Sequence, residues 1–516
     1  MLRFFRKYHK WFSLTVTFLI LLFAVSGIIL NHRELFSGID INRNLLPPVY
    51  RYSNWNLAAI KGSVKAGGDS ILVFGNIGVW STNSTFKSFH DLNGGFPRGI
   101  DNRKVNTLSW SPVSGLYAGT LFGLFRFNGH TWEACALPGR GARVVKVLQQ
   151  GDSLLVMTRS NLFVATRTSH YRKFREIQVP KGEDSDDKAG LFKTLWVIHS
   201  GEIYGIAGKL IVDVVGVVFI ILCITGLIYF FIPYRLKKTR DFFNRTKLKR
   251  YNKLSVKWHK RFGSWAIFFL MLNTATGMFL RPPLLIPIAG ERVIKLKYTE
   301  LDKPNPLFDK FRDFLYDEIS RRFLVATSEG IYYSDNCFGS ELKIFPFQPT
   351  VSVMGINVFE KSGPGHCLVG SFSGMYEWDP LTGRTIDCIT RTEYRDTGQN
   401  GPPFGKVAVA GYIRCNDSTR LIFDYAHGAI SLEGKNPFDP IPASIVEASP
   451  MSLWNASLEI HTGRIFEPIL GPFYILVVPL AGFAILIIIL SGFFSWWLAS
   501  HRRKKHNKHK YRMNKE

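Results

Sequence analysis

Four of the thirteen histidines stand at matched places in two halves of the chain. His9 opens His9-Lys-Trp-Phe-Ser and His259 opens His259-Lys-Arg-Phe-Gly; each is followed, 18 residues on, by the glycine of a hydroxyl-glycine pair, Ser26-Gly27 or Thr276-Gly277. His199-Ser-Gly-Glu-Ile-Tyr and His461-Thr-Gly-Arg-Ile-Phe form the second match. In the segments after them, ten residues separate Gly216 from the glycine of Thr225-Gly226, and Gly482 from that of Ser491-Gly492. The copies differ by four residues between the histidine and the first glycine, about one helical turn. A lone histidine at a membrane interface is ordinarily an anchor; four at repeat-equivalent positions point to ligation. Twofold symmetry pairs His9 with His259 and His199 with His461. Two imidazoles facing each other across a helix bundle are what a six-coordinate haem iron requires. Zinc takes more ligands of the Cys or carboxylate type, and none is placed with these pairs.

The elements that must hold these histidines are four apolar stretches of about the 20 residues a bilayer needs: Trp11 to Leu30, Leu210 to Tyr234 with Asp213 inside it, Phe262 to Leu280, and about Phe473 to Trp497. The first is too long for a cleaved signal peptide, and the repeat makes it a retained helix. The net charge of +26 would suit a nucleic-acid binder, but its placement does not. The N-terminus carries four basic residues, the segment from Arg235 to Arg261 twelve and the tail from Arg502 to Lys515 eight, against Asp241 and Glu516, so three short segments hold +22 of the total. Basic short segments mark the cytoplasmic side. Both termini and the middle loop are therefore expected inside and two long inserts outside, with no call for nucleic acid. The halves share one orientation and are expected to be related by a pseudo-twofold axis along the membrane normal. His199 and His461 precede their spans by about eleven residues or more, which suits interfacial helix extensions. Asp213 is a candidate for a proton or ligand role, as acids within a span usually are.

The expected organisation is helix 1 over residues 1–34, an outer β-rich insert over 35–195, helix 2 over 196–235, a basic loop over 236–261, helix 3 over 262–284, a second insert over 285–455, helix 4 over 456–500 and a basic tail over 501–516. Within the inserts a short pattern recurs, an apolar pair, a turn and then an apolar–aromatic strand, marked by Gly78, Gly123, Asn161, Gly330, Gly374 and, more weakly, Gly428. The marked residue fits a hairpin position with positive φ. Within each insert the marks lie 38 to 54 residues apart, close to the roughly 40–50 of propeller blades. Three blades alone would leave open edges, so one six-bladed β-propeller built from both inserts is expected, against two separate β-rich domains. No CxxC or CxxCH motif occurs among the six cysteines; a Cys367–Cys388 disulfide is one pairing the sequence leaves open. His90, His130, His170, His366 and His427 fall in strands and loops and read as structural.

The openings at His9 and His259 resemble the H-R-x-x-G start of the PepSY-associated transmembrane helix family. The segments from His199 and His461, with Thr225-Gly226 and Ser491-Gly492 27 to 31 residues later, resemble its H-x-G … T-G … W segment. The likeness covers the membrane segments and their flanks, about a quarter of the chain. It departs from the family outside them, where no PepSY domain is evident. The family includes inner-membrane siderophore-iron reductases carrying b-type haems on transmembrane histidines. The resemblance therefore implies a bacterial inner-membrane protein with two haems b, one on His9 and His259 and one on His199 and His461. Electrons would enter at the first and leave at the second for a periplasmic ferric chelate. His32 is a reserve ligand for the second haem or a partner for a propionate. No GxGxxG or P-loop is present, so the electron donor is expected to be a cytoplasmic partner or a quinol. The contrasting expectation is a ligand-binding or sensing propeller on an anchor without redox activity.

Overall fold

In the computed structural model the chain is described over residues 2–139, 143–180, 188–303, 305–335, 338–352, 355–394, 405–416, 419–433 and 438–513. It divides into two units. One comprises Met1–Phe36, Asp187–Lys303 and Leu453–Glu516, and the other Ser37–Asp186 and Pro304–Ser452.

The first unit is helical. Its elements are α1 (Leu2–Asn31), α2 (Leu191–Ser200), α3 (Gly205–Lys238), α4 (Phe242–Trp265), α5 (Ile267–Met278), α6 (Leu453–His461) and α7 (Val477–Met513). Among the described residues, three segments are long and apolar enough to cross a membrane: Phe4–Asn31, Glu202–Lys238 and Arg464–His501. The third expected span is built differently. The basic helix α4 runs to Trp265, Ala266 bends the chain, and the apolar α5 follows as 12 residues. At 1.5 Å per residue α5 is roughly 18 Å long, short of the ~30 Å hydrocarbon layer. Ala266 ends one helix and begins the next: its N donates to Phe262 O and its carbonyl accepts from Leu270 N, both at 2.9 Å.

The second unit is made of antiparallel sheets, four-stranded over residues 62–91, 105–135, 144–177, 311–344 and 356–387 and three-stranded over 409–431. In each, strands follow one another in chain order. Their second strands carry runs of four or five buried residues, as within Ser70–Gly75 and Ser153–Thr158, because both faces are covered. The covering is sequential. Leu72 and Leu108 share a core between sheets one and two, and Tyr117 and Val147 between two and three. Met157 and Phe314 join three to four, Leu324 and Phe359 four to five, and Val358 and Ile422 five to six. Val73 and Phe423 then join the sixth sheet to the first. Where the chain enters and leaves this unit, Asp40–Ile41 pairs with Met451–Ser452.

The recurring turn lies between the second and third strands of every sheet. Gly78, Gly123, Gly330, Gly374 and Gly428 have φ between 85° and 146° there. Asn161 does not adopt the expected positive φ; its carbonyl instead accepts from Thr158 N at 2.8 Å, the closure Gly123 makes with Thr120. The first strands of sheets three to five are tied by Lys146, whose Nζ lies 3.0 Å from Asp313 Oδ1 and donates to Phe359 O. Burial opposes the Lys146 charge, but Asp313 and Glu360 outweigh it and hold its pKa above the ordinary value. Cys367 and Cys388 form no disulfide. They lie in different cores of the fifth sheet, Cys367 against the fourth and Cys388 against the sixth, so their side chains cannot meet. Burial pushes both thiols up to about 12. Cys337 lies outside the described residues.

The junction of sixth and first sheets is sterically tight: a Cβ on Gly411 would stand 2.3 Å from Ile60 O and 2.7 Å from Lys61 Cα. Gly411→Val is expected to destabilise the sheet unit by about 2 kcal/mol or more, read from tryptophan fluorescence during denaturant unfolding. An unchanged midpoint would mean that this contact does not join the two ends of the sheet series.

Candidate functional site

The H-x-G pattern first acts on the backbone. Gly201 and Gly463 take left-handed conformations, φ 77° and 75°, and stop α2 and α6 just after His199 and His461. These histidines therefore end separate short helices rather than extending the spans. His9 lies on α1 and His259 on α4.

The fold brings the four together as two pairs. The rings of His9 and His259 have centroids 6.2 Å apart, with planes at 75°; those of His199 and His461 are 6.0 Å apart at 48°. A metal–imidazole bond is about 2 Å, so two rings on opposite sides of one ion would have centroids roughly 6 Å apart.

Each imidazole is held by the same device. His9 Nδ1 lies 3.1 Å from both Ile488 O and Ser491 Oγ. His461 Nδ1 lies 3.0 Å from Phe23 O and from Ser26 Oγ. His259 Nδ1 is 2.9 Å from Thr225 Oγ1, with the Leu222 backbone beside it. His199 Nδ1 is 3.0 Å from Asn273 O and 3.5 Å from Thr276 Oγ1. The hydroxyl hydrogens are already used, since Ser26, Thr225, Thr276 and Ser491 donate to carbonyls three or four residues back in their own helices. A carbonyl and a committed hydroxyl can only accept, so Nδ1 must carry the proton and Nε2 is left bare as a ligand.

The glycine of three hydroxyl-glycine pairs makes room for the ring, while at Gly226 a Cβ would make only ordinary contact. A Cβ on Gly27, Gly226, Gly277 or Gly492 would stand 3.1, 3.6, 2.7 or 3.0 Å from the Cε1 of the histidine it faces. These supports were visible in the sequence only as markers for aligning the repeats. Their use is crossed: each histidine is held by a pair from the other repeat.

Around His9 and His259 lies a cavity of about 660 Å³. Trp11, Phe219, Phe230 and Trp496 give it aromatic walls, and Arg6, Lys7, Lys10 and Lys260 also line it. This suits a flat apolar molecule with anionic substituents. Along α1 the two pairs are well separated: Ser26, which holds His461, is 17 residues from His9, roughly 25 Å of helix. Val16, Ile20, Cys223 and Ile485 pack between these levels. His32 is placed otherwise. Its Nε2 bonds Asp213 Oδ2 at 2.6 Å, and Asn31 Nδ2 donates to Asp213 Oδ1 at 3.0 Å. The two residues singled out at this end of the spans thus answer each other. His90, His130, His170, His366 and His427 lie in the sheet unit.

A family model described as the PepSY-associated TM region matches residues 6–499. The chain belongs to that family. No curated protein matches it. Among solved structures, two of the extracellular domain of the two-component system BT4673 from B. thetaiotaomicron, described once as hybrid and once as one-component, share 11% identity with it. They cover 73% and 76% of this chain and 33% and 41% of their own, with TM-scores of 0.35 and 0.36. The extracellular domain of BT3049, a hybrid two-component system of the same organism, shares 10% over 72% of this chain and 38% of its own, with a TM-score of 0.31. This family member thus spans well under two thirds of the length of each of those structures.

The hydrogen-bond pattern fixes a tautomer. In metal-free protein labelled with ¹⁵N-histidine, nuclear magnetic resonance is expected to show His9, His199, His259 and His461 as Nδ1–H imidazoles with unprotonated Nε2. An Nε2–H tautomer at any of them would contradict the role of the hydroxyl-glycine pairs.

Proposed function

We propose that this chain is a dihaem b-type electron-transfer protein of the bacterial inner membrane, acting as a reductase for a periplasmic ferric chelate of the siderophore-iron class. The observation that carries the reading is the repeated geometry of the two imidazole pairs, each at the ring separation of bis-histidine ligation and each with Nδ1 tied back so that Nε2 is free. His9 and His259 would hold one haem and His199 and His461 the other. When bound, the haem irons would supply one-electron redox chemistry. The chain's own residues do the rest. The hydroxyls and carbonyls orient the imidazoles and raise their basicity, the glycines admit the rings, and the aromatic walls exclude water. Arg6, Lys7, Lys10 and Lys260 are placed to neutralise carboxylate substituents. The choice of ferric chelate rests on the family resemblance and not on a site in this chain.

In this reading α5, continued across the bend at Ala266 by the end of α4, makes the fourth crossing. The basic segments place both termini and the α3–α4 connection in the cytoplasm, facing a cytoplasmic or quinol donor. The six sheets form one six-bladed propeller in the periplasm. Supporting this are the five sequential shared cores and the sixth that links last sheet to first.

Purified protein is expected to contain two b-type haems per chain by pyridine haemochrome assay. His9→Ala and His259→Ala should each remove one and the same haem, and His199→Ala and His461→Ala the other, since losing either imidazole opens a coordination position on that iron alone. Wild type without haem, or four single variants with full haem content, would sink the reading and favour a propeller on a redox-inactive anchor. For topology, a C-terminal reporter active only in the cytoplasm should be active; silence there would reverse the orientation.

A further inference from the structure

The four histidine supports are alike in hydroxyl and glycine but not in the residue three positions before the hydroxyl, whose backbone faces the imidazole. That residue is Phe23, Leu222 and Ile488 in three cases and Asn273 in the fourth. An asparagine in an apolar helix is costly unless its amide is satisfied. Asn273 Nδ2 donates to the carbonyl of His199 itself, at 2.9 Å, while Asn273 O accepts from the His199 ring at 3.0 Å. One residue thus grips the histidine at both backbone and side chain.

The reason this histidine needs such a grip is local. His199 lies in the last turn of a ten-residue helix, where carbonyls have no partner in the next turn. Gly201 N satisfies Ile198 O and Ser200 Oγ approaches Val197 O, while Asn273 satisfies His199 O. His9 and His259 sit inside long helices whose own ladders fix the backbone. His461 also ends a short helix, but at the matched place it meets the Phe23 ring, with centroids 5.9 Å apart and planes at 71°. The Thr276 hydroxyl is also the farthest of the four from its imidazole, at 3.5 Å, so the ring rests mainly on the Asn273 carbonyl, on a residue whose side chain also holds the His199 backbone.

We propose that Asn273 is the positioning residue for His199: it caps α2 and sets the imidazole angle, and so makes the His199–His461 pair unlike the His9–His259 pair. This rests on the reading of the histidines as haem ligands, but its backbone half can be tested without haem. The variants are Asn273→Leu, which installs the residue type found at position 222, and Asn273→Ala, which decides if leucine does not fit. Haem retained on His9 and His259 reports that either variant is folded. Two readouts are expected to move. Amide exchange across residues 197–201 should accelerate about fivefold, the worth of one net hydrogen bond. The haem on His199 and His461 should bind about 10–100-fold more weakly, with a shifted low-spin electron paramagnetic resonance signal and midpoint potential, while the other haem keeps both. In haem-loaded, folded variant protein, an unchanged signal and potential overturn the inference even if exchange rises. If wild type holds no haem, the functional reading fails, and unchanged exchange at 197–201 then overturns the clamp as well.

Discussion

The helical unit depends on one arrangement made four times: an imidazole Nδ1 set against a helix hydroxyl that has already spent its own proton and, at His9, His199 and His461, shared with a backbone carbonyl. Either acceptor alone would leave the ring free to turn, and a water-facing histidine would take either tautomer. The pair of acceptors, both unable to donate, fixes proton and plane together. The hydroxyls can act this way only because they sit in helices, where a carbonyl three or four residues back is always within reach. The glycines at 27, 277 and 492 follow from the same demand, since a methyl there would crowd the ring.

This interaction also explains why the chain is a duplication. Ser491-Gly492 of the second repeat holds His9 of the first, and Thr225-Gly226 of the first holds His259 of the second. The exchange recurs with His199 on Asn273 and Thr276, and with His461 on Ser26. Neither repeat orients its own histidines, so a single copy alone would leave both of its histidines without these supports. The short helices α2 and α6 serve the same end. By stopping at a left-handed glycine they let a histidine face the bundle at a level where a continuous helix would have carried it elsewhere.

The sheet unit obeys a different constraint. Its middle strands are apolar on both faces, and such a strand is stable only if something covers each face. The neighbouring sheets supply that cover in chain order, with the last sheet against the first. Charge enters this interior only where it is answered, as at Lys146 among Asp313 and Glu360. The described cysteines of this unit lie in or against cores between sheets, Cys367 and Cys415 buried and Cys135 and Cys388 partly so.

Much of this was legible in the sequence, because it depends on composition and local spacing. Apolar runs, the basic segments between them, the repeat of four histidines and the turn glycines are properties of short stretches of chain. Gly78, Gly330 and Gly374 could be recognised because positive φ is a demand a single residue meets. Asn161 misled because its turn closes through Thr158 without that demand, and a Cys367–Cys388 bridge remained open because sequence does not say which face of a strand meets which neighbour. The bend at Ala266 left no compositional mark, so Phe262 to Leu280 read as one span. Above all, the crossed support of the histidines could not be read from either repeat. Ser26-Gly27 follows His9 on the same helix, yet at roughly 25 Å along it the two cannot touch; only the packing of one repeat against the other decides which imidazole each hydroxyl holds.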